Sequence, residues 1–129
     1  MNIEELSNKV IGLAIRVHRK LGPGLLESVY QAALAYELKK AGIRFEKEKT
    51  IPVYYDEIVL EPGFRCDFLI DQQLILETKA AREITAIDQA QIINYLKLAD
   101  KRIGLLINFN VLQLKDGLKR LVYNYRDSE

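Results

Sequence analysis

Two apolar, strand-like segments with a short polar segment between them constrain the fold of this chain more than any other feature. Residues 64–70 have the sequence FRCDFLI, residues 74–79 have the sequence LILETK, and only residues 71–73 separate them. Apolar segments joined by a short polar loop predict a β-hairpin. We therefore expect two adjacent antiparallel strands in this part of the chain.

The register of this hairpin brings three charged residues together. We expect Ile70 to pair with Leu74. Counting outward from that pair places Asp67 opposite Glu77, and directly opposed side chains have Cβ atoms about 4.5–5.5 Å apart. Because side chains alternate between the faces of a strand, Lys79 shares the face of Glu77. The hairpin thus predicts two carboxylates and an amine at one place.

Two facing carboxylates in apolar strands repel each other and resist burial, so something must offset that cost. A divalent cation would do so, and hard oxygen ligands suit Mg²⁺ or Mn²⁺. Lys79 could then orient or activate a water molecule, or stabilise developing negative charge. The spacing alone leaves two alternatives open, namely a buried salt-bridge cluster and an exposed hairpin face with ordinary charges.

Length and composition predict one domain covering residues 1–129, because 49% of the residues are hydrophobic and can form a core. Nineteen basic and eighteen acidic residues give a net charge of +1, so nucleic-acid binding would need a local basic patch. The single cysteine, Cys66, excludes an internal disulfide and is expected to be a packed thiol. No segment resembles a membrane span or a signal peptide, which predicts a cytoplasmic protein.

Apolar periodicity and turn residues give the order of elements. Helices are predicted at residues 3–21, 25–41 and 86–99, the third with Thr85 as its N-cap. Strand-like segments are predicted at residues 44–49, 50–55, 58–60, 64–70, 74–79, 102–109 and 118–125. This order predicts an α/β domain whose last helix crosses between two strands, and those strands are parallel if they are neighbours.

Helix geometry adds candidate residues. Glu27, Tyr30 and Gln31 share one helix face, and Gln91 and Tyr95 stand four residues apart on another helix. The alternative is that both tyrosines lie at the edge of the core while the polar groups face solvent.

The lone histidine, His18, is a further candidate, although a single helical histidine commonly packs or caps. Its basic neighbours Arg16, Arg19 and Lys20 could face a phosphate backbone or simply form a solvated helix face.

A family resemblance adds to this interpretation. Residues 18–30 look like the signature of the GxxExxY proteins, with Gly24, Glu27 and Tyr30 at the named positions. The segments that also resemble that family in order and spacing are 51–55, 63–67, 77–80, 90–96 and 104–109. The resemblance covers residues 5–124, and the family is placed within the PD-(D/E)XK nuclease-like superfamily.

The resemblance implies a restriction-endonuclease-like core, in which helices flank a mixed central β-sheet, preceded here by two N-terminal helices. Asp67 and Glu77 would hold the metal, and Lys79 would be the catalytic amine. Glu27 resembles the additional helix acid of the superfamily. The remaining candidates are Gln91 as a catalytic helix residue and Tyr30, Tyr95 and His18 as supporting residues.

Two positions depart from the pattern. Cys66 stands where the motif has proline, and Thr78 stands where a bulky apolar residue is frequent. Strand alternation predicts that Thr78 faces away from the site and affects only packing.

The function implied is a metal-dependent nuclease that hydrolyses phosphodiesters in DNA or RNA. The alternative is a noncatalytic nucleic-acid-binding or protein-interaction module that retains the nuclease fold. An intact set of Asp67, Glu77 and Lys79 favours the enzyme, since a binding module has little use for two opposed acids. The near-zero net charge and small size favour the module, or an enzyme that works as a homodimer or with a partner protein.

Overall fold

The structure is a computed structural model and describes residues 1–126. Its elements are, in chain order, α1 (Ile3–Leu21), α2 (Glu27–Lys40), β1 (Phe45–Tyr55), β2 (Ile58–Ile70), β3 (Leu74–Lys79), α3 (Ala86–Ala99), β4 (Ile103–Asn108) and, after a short 3₁₀ turn at Leu114–Gly117, β5 (Leu118–Val122).

The five strands form one mixed sheet in the order β1-β2-β3-β4-β5. Strands β3 and β4 are parallel and are joined by the crossover helix α3, whereas all other neighbours are antiparallel. The predicted α/β class, with a mixed sheet, flanking helices and two N-terminal helices, is confirmed. The predicted parallel pairing across α3 is also confirmed.

Helices α1 and α2 pack on one face of the sheet and α3 packs on the other. Alternation along β3 divides its side chains between the two cores. Leu74 and Leu76 pack with α1 and α2, whereas Ile75 packs with Ile92 and Leu96 of α3. The charged end of β3 therefore lies between two apolar layers.

The predicted hairpin forms as expected. Ile70 pairs with Leu74, and residues 71–73 make the connecting turn. Asp71 and Gln72 both have positive φ values, of 50° and 58°, as the central residues of a type I′ turn do. The register on which the site prediction depends is therefore established at the turn.

The helix boundaries agree closely with the sequence prediction. Helix α1 spans the predicted residues, α2 begins two residues later than predicted, and α3 matches at both ends. The predicted N-cap is confirmed, because Thr85 accepts a hydrogen bond from the Asp88 amide (3.1 Å). Asp88 in turn accepts one from the Thr85 amide (2.9 Å), which completes a capping box.

The division of the first strands was wrong. The predicted segments 44–49 and 50–55 are one strand, β1 (Phe45–Tyr55), and residues 58–60 and 64–70 belong to the single strand β2. The register shifts between Ile51 and Val53, so a bulge accommodates the irregular segment. Gly63 makes this possible: its φ is +75°, and a Cβ there would lie 2.2 Å from the Ile51 carbonyl oxygen. Strand β5 also ends earlier than predicted, at Val122.

We predict that Gly63→Ala destabilises the protein by about 1–3 kcal/mol, because alanine meets both a left-handed backbone and a steric clash. The matched control is Gly12→Ala in α1, where an added Cβ meets nothing within 4 Å. The control should stabilise the helix by about 0.5–1 kcal/mol. Urea denaturation measures both values, and equal stabilities for the two variants would contradict the bulge.

Candidate active site

The regular strand structure of β2 is interrupted at Asp67. The β2–β3 ladder ends at Phe68, and the β1–β2 ladder skips Asp67 together with Glu48, whose φ of 56° is left-handed. Cys66 and Phe68 then pack into opposite cores, although residues two apart normally share a face. The alternation of side chains therefore breaks at Asp67.

Side-chain oxygens act as acceptors where the ladder ends. The Asp67 amide donates to Glu77 Oε1 (3.2 Å), and the Thr78 amide donates to Asp67 Oδ2 (2.8 Å). The carboxyl groups of Asp67 and Glu77 also lie within hydrogen-bonding reach of each other. The structure thus brings these two acids together through their side chains, although the predicted strand pair of Asp67 with Glu77 does not form.

The predicted role of Thr78 was wrong, although its side chain lies on the predicted face of β3, with Leu74 and Leu76. Its hydroxyl lies 3.0 Å from Asp67 Oδ2 and 3.3 Å from Glu27 Oε1, so it lies between two of the candidate acids. The expectation that Thr78 affects only packing failed because the break at Asp67 lets that carboxylate reach the far face of β3. Alternation along a regular strand could not indicate this.

Glu27 is the first residue of α2, and a side chain anchors the loop before it. The Tyr30 hydroxyl donates to the Gly22 carbonyl (2.6 Å) and accepts from the Leu25 amide (3.1 Å). The Tyr30 ring is fully buried and stacks on Phe109 with centroids 4.6 Å apart. Tyr30 therefore fixes the start of α2, and its hydroxyl is bonded to the loop rather than to the acids.

Glu27 itself faces Asp67. Its Oε1 accepts a hydrogen bond from Gln31 Nε2 (3.2 Å) and lies 3.3 Å from the Thr78 hydroxyl. A single hydroxyl group thus separates Glu27 from Asp67. Gln31 also donates to that hydroxyl (2.8 Å), so α2 contributes two polar residues to this place.

The Asp67 carboxylate acts electrostatically on each of the other two acids. Burial, followed by the nearby Asp67 carboxylate, raises the pKa of Glu77 from 4.5 to about 9. Burial and the same carboxylate also raise the pKa of Glu27. Both effects disfavour negative charge, so the site holds more acid groups than it can readily ionise without a cation.

Lys79 lies at the edge of this group. Its Nζ is 3.8 Å from Asp88 Oδ1 on α3, and the side chain is about a third exposed. Its charge lowers the pKa of both Glu77 and Glu27, against the larger effects that raise them. The amine is therefore near the acids while its ion-pair partner is Asp88.

Tyr95 borders the acids from α3. Its ring stacks on Phe64 with centroids 3.9 Å apart and an interplanar angle of 9°. Burial raises the pKa of Tyr95, and the charges of Glu77 and Asp67 add to the effect. Gln91 is exposed, and its side chain lies near enough to Tyr95 to lower the pKa of that phenol slightly against the other effects.

Two other candidates pack elsewhere. His18 is buried and donates from Nε2 to the Val111 carbonyl (2.7 Å), with Phe109 beside its ring. The contacts of His18 thus hold the loop after β4. The Cys66 thiol is buried, and burial raises its pKa to about 12, which confirms the predicted packed thiol.

The sequence interpretation missed Asn108, a buried residue at the end of β4. Its Oδ1 accepts from the amides of Ala81 and Asn110 (3.1 Å each), and its Nδ2 donates to the Ala81 carbonyl (2.9 Å). These bonds hold the chain two residues after Lys79. The available signal was a polar residue closing the otherwise apolar strand IGLLIN.

Residues 1–126 contain no group of three or more His, Cys, Asp or Glu side chains arranged to hold a metal ion. In the same part of the chain, no helix is long and apolar enough to cross a membrane.

We predict that the metal-free protein loses stability as the pH rises from about 5 to about 9. Over this window folded Glu77 keeps a proton that the unfolded chain has already released, so the free energy of unfolding falls by at most about 1.4 kcal/mol per pH unit. Glu77→Gln, which mimics the protonated acid, should remove this slope. Urea denaturation in chelator measures both proteins, and parallel pH profiles would contradict the raised pKa.

Comparison with known proteins agrees with this geometry. The model of the PD-(D/E)XK nuclease superfamily matches residues 4–121. No curated protein and no solved structure matches the chain significantly. Since the match covers nearly all of the sequence, and the sheet is the mixed one expected of a restriction-endonuclease-like core, the chain belongs to the PD-(D/E)XK nuclease superfamily.

Proposed function

We propose that this protein is a metal-dependent nuclease that hydrolyses phosphodiester bonds in DNA or RNA, and that it belongs to the GxxExxY group of its superfamily. The observation that carries the proposal is the close approach of the Asp67 and Glu77 carboxyls where the β2–β3 ladder ends. Superfamily membership supports the nuclease class. A single cytoplasmic domain, as the sequence predicts, is part of the same proposal.

The side chains at this place fit a divalent cation. Asp67 and Glu77 offer hard oxygen ligands, and the raised pKa of Glu77 reflects a carboxylate that lacks compensating positive charge. With only two protein carboxylates as direct ligands, several coordination positions stay open for water and a phosphate oxygen. Mg²⁺ and Mn²⁺ both suit such a set of oxygen ligands.

A bound cation would supply charge neutralisation at the phosphate and lower the pKa of water. Asp67 and Glu77 would hold it. The Asp67 amide orients the Glu77 carboxylate, and the Thr78 amide orients the Asp67 carboxylate. The Lys79 ammonium would stabilise negative charge that develops on the phosphate. Glu27 would orient water near the two ligands from the end of α2.

The position of Lys79 is compatible with this role. An ion pair of 3.8 Å between partly exposed groups contributes little stability, because solvent screens it. The ammonium can therefore leave Asp88 for a phosphate oxygen at small cost. Tyr95, with Gln91 beside it on α3, would support this side of the site.

One observation favours a second candidate, a noncatalytic module that binds nucleic acid or protein. Lys79 pairs with Asp88 rather than with Asp67 or Glu77, which is also what a purely structural lysine would do. The net charge of +1 offers no general attraction for nucleic acid. The two candidates differ in whether the acids are needed for cleavage.

We predict that wild-type protein binds Mn²⁺ at one site and that Asp67→Asn and Glu77→Gln each abolish this binding. Each substitution removes one of only two charged ligands. Isothermal titration calorimetry measures the effect, with Glu57→Gln at the exposed turn between β1 and β2 as a control that should bind like wild type. Retained binding in both site variants would contradict the metal site.

We also predict that Lys79→Ala lowers cleavage of DNA or RNA by about 10²–10³-fold while nucleic-acid affinity changes little, because the ammonium acts mainly in the transition state. Cleavage is measured in saturating Mn²⁺ against chelator. The control is Asp88→Asn, which removes the ion pair but leaves the amine in place. Equal losses in both variants would contradict the catalytic role of the amine, and a wild-type protein that cuts neither substrate would favour the noncatalytic module.

A further inference from the structure

Thr78 is a polar residue at a position that the fold would otherwise fill with an apolar one. It is 1% exposed and follows Leu74 and Leu76 on the face of β3 that α1 and α2 cover. A buried hydroxyl costs free energy unless it is hydrogen-bonded, and valine would fill nearly the same volume. The hydroxyl is therefore explained by its bonds and not by its packing.

The hydrogen atoms around Thr78 can be assigned from the donors. Gln31 Nε2 carries two hydrogen atoms, and this nitrogen lies 2.8 Å from the Thr78 hydroxyl and 3.2 Å from Glu27 Oε1. The Thr78 hydroxyl carries one hydrogen atom. Its shorter contact with a carboxylate is to Asp67 Oδ2, at 3.0 Å, so we assign the hydrogen to that bond. A continuous chain of donated hydrogen bonds thus runs from Gln31 through Thr78 to Asp67, and Gln31 also holds Glu27.

These contacts connect α2 to β3 across the interface between helix and sheet. Glu27 Oε1 receives the bond from Gln31, and among residues 1–126 no protein donor reaches Glu27 Oε2. The free oxygen is the one that can face a ligand. Asp67 keeps its bond from the Thr78 amide whether or not the hydroxyl is present. Loss of the hydroxyl would remove the acceptor that fixes the Gln31 amide, and Gln31 is the donor that holds Glu27. The Glu27 carboxylate would therefore lose its support indirectly, through Gln31, while Asp67 keeps its bond from the Thr78 amide.

We propose that Thr78 and Gln31 are a pair of positioning residues that set the Glu27 carboxylate against Asp67. This inference rests on the proposed function, because it makes Glu27 an outer group that orients water near a cation at Asp67 and Glu77. Groups of this kind typically change metal affinity or activity by 10–100-fold when they are removed.

The test compares Thr78→Val, which removes the hydroxyl at constant shape, with Thr78→Ser, which keeps it. Thr78→Val should weaken Mn²⁺ binding about 10-fold and lower cleavage about 10–100-fold, while Thr78→Ser stays within about 3-fold of wild type. Gln31→Leu should resemble Thr78→Val. Calorimetry gives the metal affinity, and kcat is compared with KM because the pair should affect turnover more than substrate affinity.

A double-mutant cycle shows whether Thr78 acts through Glu27. Glu27→Gln and Thr78→Val should be non-additive, so that the double variant loses little more Mn²⁺ affinity than either single variant. The same two substitutions should be non-additive in the melting temperature of the metal-free protein. Full additivity in both measurements would overturn the proposal that Thr78 acts through Glu27.

Failure of this inference is distinguishable from failure of the proposed function. A wild-type protein that binds no Mn²⁺ and cuts neither DNA nor RNA overturns the proposed function, and the role in orienting water falls with it. A wild-type protein that binds and cuts, together with a Thr78→Val variant that does both equally well, overturns only the positioning pair.

Discussion

The fold holds two carboxyl groups close together where they cannot both be charged at low cost. Asp67 interrupts the ladders on both sides of β2, and its amide and carboxylate bond to Glu77 and Thr78. Burial and the neighbouring charge raise the pKa of Glu77 to about 9. Each of the other groups at the site is placed with respect to this pair, which we propose as the place for a cation.

Helices on both faces of the sheet place side chains near this pair. Helix α2 brings Glu27 from one face, held by Gln31 and Thr78, and its start is fixed by the buried Tyr30. Helix α3 lies on the opposite face, where its N-terminal Asp88 pairs with Lys79. The site thus depends on packing between sheet and helices as much as on the hairpin. A substitution that loosens either interface should impair function without touching the acids.

The sequence predicted the parts of the site that follow from local rules. Turn residues and apolar runs gave the pairing of Ile70 with Leu74, and the family resemblance indicated Glu27. The sequence could not predict the break in β2 at Asp67, since the break lies opposite the left-handed Glu48 on the neighbouring strand β1. The role of Thr78 was missed for this reason. His18 was a reasonable candidate from composition, but its hydrogen bond goes to Val111, which lies 93 residues away in sequence.

The most direct test of the central claim is a crystal structure of the protein grown with Mn²⁺, with anomalous scattering data collected to locate the metal. The account predicts one strong anomalous peak within about 2.5 Å of carboxylate oxygens from both Asp67 and Glu77. Glu27 should lie near the ion without displacing either ligand. A structure without a peak at these acids, or with Mn²⁺ bound only elsewhere, would contradict the account.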